Sequence, residues 1–428
     1  MNAFSSLSLK LKSINNPFAR DMGWLGSSQL INRFTRLAAT VVLARCLSPH
    51  DYGLAAIIMT TNEFVRVFMR NGIGTRLIQV SEDRLEPLCQ AAYWLNWILF
   101  SALFVVQSLA AFPVAWFYND TKLILPICAL AATLLMLPIA MIQNALIQRQ
   151  GKMWVIALSD TMQVTTENLS SLGFALAGFG VWAIVLPRLI VPPIWVAMML
   201  KHHSWRPQQR FTTKGWGELL TFGRSILGIE LLNTLRFNLD YLLVGRFLGV
   251  EALGAYFFAF NAGLGLSLGL ITSVKVALLP RLCQVRSQLN LFRQVYFKSL
   301  KTITWFFVPV VLLQASLAPV YVPLVFGKQW TEAIPILVLV CLSAIPRPFA
   351  DAASQLLLSV DRPGIDLAWN ILFTGLFTCG ILIGVQGQSL GVATAVLLTH
   401  CIFLPLFTIW ATRFVFRRLA VTQSATTA

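Results

Sequence analysis

Long apolar blocks alternate with short polar punctuation along the chain, at the spacing of bilayer-spanning helices, each of which needs about 20 mostly apolar residues. The first six blocks lie over about 22–44, 52–70, 89–113, 122–144, 153–177 and 181–200. A polar stretch, KHHSWRPQQRFTTKGWGE (201–218), interrupts them. Six more follow over about 219–245, 252–275, 301–326, 331–357, 365–385 and 389–412. The pattern predicts an all-α polytopic membrane protein with about 12 transmembrane helices. Its parts are a tail (1–21), a first lobe (22–200), a linker (201–218), a second lobe (219–412) and a second tail (413–428). In the polar stretch 276–300, Leu282, Val285, Leu289 and Phe292 recur at helical spacing among Arg281, Arg286, Arg293 and Lys298, which predicts an amphipathic helix on the inner membrane surface. Lys10, Lys12 and Arg20 precede a first block that contains Arg33 and Arg36 and has no small-residue cleavage site, so the first helix reads as retained.

Composition agrees with this reading. Of the 428 residues, 57% are hydrophobic and 12% charged, about half the charge of a soluble domain. Mean hydropathy is +0.71. Charge then orients the chain. With both termini inside, 21 Lys and Arg lie in or beside the inside segments, against four outside (Arg45, Lys122, Arg246 and Lys328). The net charge of +16 therefore reflects cytoplasmic loops facing anionic lipid. Nucleic-acid binding is excluded, because no segment is long and polar enough to form a basic soluble domain. Seven scattered cysteines without a CxxC, and four histidines of which only His202–His203 are adjacent, predict neither a disulfide framework nor a metal site. No cofactor is expected.

The halves repeat. At an offset of 201, Asn32 meets Asn233, and ARCLSPHDYG (44–53) meets GRFLGVEALG (245–254) with Arg45/Arg246, Leu47/Leu248 and Gly53/Gly254 identical. Six spans per half make the copies parallel, the arrangement in which transporter substrates lie between halves.

Ionisable residues inside spans are costly and point to a bundle interior or a watery cavity. Gln29, Arg33, Arg36 and Thr40 follow one stripe of the first span, beside Asn32. The second span adds Asn62, Glu63 and Arg66, and the seventh carries Arg224, Glu230, Asn233, Arg236 and Asp240. Arg188, Lys275 and the Arg347–Asp351 pair extend the set. Glu63–Arg66 and Arg347–Asp351 have the spacing of helical ion pairs. Arg33 and Arg36 have no acid in their own span, and guanidinium forks suit phosphate oxygens. A cationic surface of Arg33, Arg36, Arg66 and Arg236 is therefore the candidate substrate site, with Gln29, Asn32, Glu63, Glu230, Asn233 and Asp240 as supporting or coupling groups.

Catalytic signatures are absent. There is no GxxxxGK[ST] loop, and RNGIGTR (70–76) reads as a turn. Short outside loops leave no room for a glycan polymerase or ligase. The protein is not expected to be an enzyme.

NRFTRLAATVVLARCLSPHDYGLAAI (32–57), NGIGTRLIQ (71–79), LIQRQGKM (146–153) and GRFLGVEALGAY (245–256) resemble polysaccharide-export flippases of the multidrug, oligosaccharidyl-lipid and polysaccharide exporter superfamily. The resemblance implies two six-helix lobes around a central, typically cationic cavity. It implies alternating-access transfer of a polyprenyl-pyrophosphate-linked oligosaccharide across the bacterial inner membrane, beside polymerase and chain-length machinery. The alternative in the same superfamily, a cation-coupled multidrug exporter, often relies on an acid in the first helix, where this chain has arginines.

Overall fold

The structure, a computed structural model, describes residues 32–33, 35–70, 72–208, 211–213, 215–286 and 288–426. Gln29 lies outside them, as do the side chains of Arg224 and Lys275. The described residues are helical with no strand. They form two compact units, Met1–Asn238 and Leu239–Ala428.

In the first unit a helix over 35–46 (α1) is followed by α2 (Pro49–Arg66). Local chemistry sets this junction. The Ser48 hydroxyl accepts from the Asp51 N–H at 3.1 Å, Asp51 accepts from the Ser48 N–H at 3.2 Å, and Pro49 begins the helix. This is a reciprocal capping box with proline at the first turn. Gly72, at φ 77°, makes the turn read from RNGIGTR and starts the short α3 (Ile73–Gln79). The unit continues with α4 (Glu82–Tyr118), α5 (Ile124–Leu134), α6 (Pro138–Arg149), α7 (Met153–Leu176) and α8 (Trp182–His202). The expected fourth span is α5 plus α6, bent by 53° where Pro138 restarts the helix. Proline has no N–H and clashes with the preceding turn, so the break falls in front of it.

Then α9 (Trp216–Leu248) runs on, and the division between the units falls within it. The second unit has α10 (Val250–Val285), α11 (Leu289–Tyr321), α12 (Ile334–Ser343), α13 (Arg347–Ser359), α14 (Pro363–Gly384) and α15 (Gln388–Thr426). Here too the expected fourth span of the half is interrupted, at 344–346, before Arg347-Pro348. The repeat holds at its junction: α9 ends at Leu248 and α10 starts at Val250, as α1 ends at 46 and α2 starts at Pro49. The stretch 276–300 differs from expectation. It does not form its own surface helix but prolongs α10 and begins α11, with Leu282 and Phe292 buried. The same apolar spacing serves packing between two long helices as well as it serves a lipid face.

Within each unit, α7 packs on α8 and α4 on α5, while α14, α13 and α12 pack on α15 and α10 packs on α13. Outward faces remain apolar: Trp305 is 73% and Leu324 70% exposed. Apolar side chains exposed in this density need lipid rather than water. Among the described residues, five helical stretches are long and apolar enough to cross a bilayer, or six with the bent pair. Pro49–Arg66 is a more polar one, carrying Asp51, Glu63 and Arg66.

Described residues of the 201–218 stretch are bonded to the first unit's helices. Trp205 donates its indole N–H to Glu86 at 3.0 Å and accepts at its carbonyl from Gln143 at 3.1 Å. Trp216 donates to the Ala91 carbonyl at 3.0 Å. Glu218 accepts from Arg76 Nε at 2.8 Å and is also gripped by Arg84. The paired guanidinium of Arg76, first of all, holds the Glu218 carboxyl below its ordinary range. Leu219, Trp205 and Trp216 join the apolar cluster of α3, α4 and α6.

Candidate functional site

In the first unit, four helices converge on one polar belt. α1 and α7 meet where Asn168 Nδ2 donates to Thr35 Oγ1 at 3.1 Å. Beside Asn168, Glu167 accepts from Arg188 Nε of α8 at 2.9 Å. Arg188 Nη1 turns to the Met59 sulfur of α2. One turn further along α2, Arg66 donates to Glu63 at 3.2 Å, and both are well exposed. Thr60, next to Met59, donates to Asn238 Oδ1 at 3.4 Å. Residues from α1, α2, α7 and α8 are thus linked by contacts that no single-helix pattern contains.

The expected site residues fall as follows. Arg33 and Arg36 are exposed on the first helix, and Arg36 directly follows Thr35 of the belt. The Arg36 carbonyl accepts from Thr40 Oγ1 at 2.8 Å. Asn32 is half-buried, and its side-chain oxygen has no hydrogen-bond partner among the described residues. The Glu63–Arg66 pair forms as the spacing predicts. Glu230, Asn233 and Arg236 are half-buried on α9, with the Arg236 guanidinium 5.3 Å from the Phe237 ring centre.

Asp240 belongs to the second unit and is buried there, 4% exposed. Tyr256 OH donates to its carboxylate at 2.9 Å and the Tyr241 N–H donates at 3.0 Å. Tyr241 packs edge-on against Tyr256, Phe257 and Phe260. Arg347 lies 5.9 Å above Phe260, its Nε without a hydrogen-bond partner among the described residues.

Sequence reasoning missed Glu167 and Asn168. Glu167 was visible as an acid in the middle of an apolar span, but its partner sits on the next helix, where same-helix spacing does not search. Tyr256 was equally hidden, because an aromatic residue in a span reads as packing.

Away from the belt, a cavity of about 420 Å³ opens at the helix ends, lined by Asp51, Lys122, Phe179 and Trp182 among others.

Among solved structures, the fold is similar to a lipid II flippase MurJ in an inward closed conformation, with TM-score 0.73 and 14% identity, covering 93% of this chain and 90% of that one. It is also similar to an inward-facing multidrug resistance MATE transporter of the MOP superfamily, with TM-score 0.67 and 10% identity, covering 90% and 96%. These likenesses show the twelve-helix fold of that superfamily. By sequence, the chain is 24% identical over 389 residues to the teichuronic acid biosynthesis protein TuaB of Bacillus subtilis (strain 168), covering 89% of this chain and 79% of that protein. It is 25% identical over 374 residues to the lipopolysaccharide biosynthesis protein WzxC of Escherichia coli (strain K12), covering 86% and 75%. The family model described as polysaccharide biosynthesis protein matches residues 42–335, more than half of the chain, and the chain belongs to that family.

Proposed function

We propose that this protein flips polyprenyl-pyrophosphate-linked oligosaccharide units across the bacterial inner membrane by alternating access, for surface or exported polysaccharide. The observation that carries the reading is the pair Arg33 and Arg36, exposed on a helix that has no acid between them and α2. An intramembrane guanidinium needs an anion, and a pyrophosphate supplies one with oxygens for both forks. Family membership and the similarity to TuaB and WzxC, named as teichuronic acid and lipopolysaccharide biosynthesis proteins, support it. Arg66 and Arg236 complete the cationic surface, and Gln29, Asn32, Glu63, Glu230, Asn233 and Asp240 supply polar support or coupling. The lobes are 22–200 and 219–412, joined by the linker 201–218, with the tails 1–21 and 413–428 cytoplasmic as the basic bias requires. The protein moves its substrate without chemistry, and hands it to a polymerase and its chain-length machinery. A cationic drug fits a site led by arginines poorly.

The test is complementation of polysaccharide export in a flippase-deficient strain. An Arg33→Ala/Arg36→Ala variant should insert and accumulate yet fail to export, while lysine at both positions keeps part of the activity. Normal export by the double alanine variant at wild-type abundance would end this reading.

A further inference from the structure

The α7–α8 ion pair is only half made. A guanidinium has five N–H donors. Arg188 uses Nε on Glu167 at 2.9 Å and turns Nη1 to the sulfur of Met59, a weak acceptor. Among the described residues, Nη2 has no hydrogen-bond partner. Both side chains stay accessible, at 29% and 32%. A structural arginine of the same unit looks different: the Arg149 side chain is 17% exposed and donates to three backbone carbonyls besides Glu82.

Arg188 and Glu167 lie inside Trp182–His202 and Met153–Leu176, and the first of these is apolar enough to cross a bilayer. Acyl chains against a guanidinium are expensive, so the accessible side of this pair faces water or a ligand. The pair also adjoins the helix of the candidate arginines. Glu167 neighbours Asn168, which bonds Thr35, which neighbours Arg36.

We propose that Arg188 is a further phosphate-oxygen-binding residue of the transport site, and that Glu167 is its resident counter-anion, displaced when a pyrophosphate takes the fork. This rests on the flippase reading above. The exchange replaces one N–H···O contact by a bidentate pair, the stronger and more directional arrangement. It also selects among phosphates. A phosphodiester headgroup carries one negative charge, too little to displace a carboxylate already in place, whereas a pyrophosphate carries more. Glu167 thereby keeps ordinary phospholipids off Arg188.

Wild type, Glu167→Gln and Arg188→Lys, each in nanodiscs of zwitterionic lipid, are titrated with inorganic pyrophosphate and with a polyprenyl pyrophosphate. A second series adds phosphatidylglycerol as competitor. Glu167→Gln should bind both pyrophosphates about fivefold more tightly, the size of one partly exposed ion pair, and phosphatidylglycerol should now compete. Arg188→Lys should bind about fivefold more weakly. The gain in Glu167→Gln cannot come from misfolding. Unchanged or weaker pyrophosphate binding by Glu167→Gln at wild-type Tm overturns the proposal, as does a gain for phosphatidylglycerol alone. A wild type that binds neither pyrophosphate sinks the flippase reading itself. A wild type that binds and exports, with both variants at wild-type affinity, sinks only the assignment of Arg188.

Discussion

Tyr256 holds Asp240: its hydroxyl donates at 2.9 Å to a carboxylate that is 4% exposed. A buried charged acceptor that loses a donor pays its desolvation again, about 2 kcal/mol. Tyr256→Phe should therefore lower the unfolding midpoint of the purified protein, while Asp240→Asn, which still accepts from Tyr256, should lower it less. Equal midpoints for wild type and Tyr256→Phe would show that Asp240 has water or another donor.

Arg149 closes the C-terminal end of α3. Its Nη1 donates to the carbonyls of Leu77, Ile78 and Val80 at 2.9, 3.0 and 2.6 Å, and its other nitrogens grip Glu82. Carbonyls at a helix end need such partners. Arg149→Ala should cost about 2 kcal/mol and speed hydrogen exchange over residues 77–82. Arg149→Lys should recover little of it, because an ammonium lacks the planar fork.

Glu218 predicts a pH dependence for the linker. Its folded pKa is depressed, chiefly by the hydrogen bond from Arg76. The attachment is therefore at full strength above the unfolded carboxylate value and is lost only as pH falls through the lower folded value. A spin label on Thr213→Cys, an exposed linker position, should keep one mobility from pH 8 to about 5 and loosen below about 4. With Glu218→Gln added, the label should be mobile throughout. Identical spectra from the two would remove Glu218 from the attachment.

Gly384 and Gly391 let α14 and α15 touch backbone to backbone. A Cβ on Gly384 would stand 2.7 Å from the Gly391 carbonyl oxygen and 2.8 Å from the Ala395 Cβ. Neither can yield without moving a helix, and overpacking of this kind costs about 1–3 kcal/mol. Gly384→Ala should reduce the amount of folded protein in membranes. Gly375→Ala, where nothing lies within 4 Å of the added carbon, should not.

The sequence by itself determined whatever depends on neighbours along the chain. Apolar blocks of bilayer length marked the spans, because burying a backbone in lipid demands a continuous helix. The glycine turn in RNGIGTR (70–76) followed in the same way, and Gly72 makes it at φ 77°. The Glu63–Arg66 pair followed from one helical turn. The exposed arginines Arg33 and Arg36 were legible as charges where charge is costly.

Only tertiary structure decided the rest. Arg76 and Glu218 are 142 positions apart, and Glu167 and Arg188 are 21 apart on separate helices. No periodicity encodes such pairs, because they depend on which helix faces rotate towards each other when the bundle packs. The same holds for 276–300, whose amphipathic spacing suits a lipid surface and a helix interface alike until Leu282 and Phe292 are found buried. It holds for the linker, whose polar composition gave no sign that Trp205 and Trp216 would pin it to α4. Local propensity places the helices; the pairing of scarce polar groups within an apolar bundle, where each unpaired one is expensive, fixes how they meet.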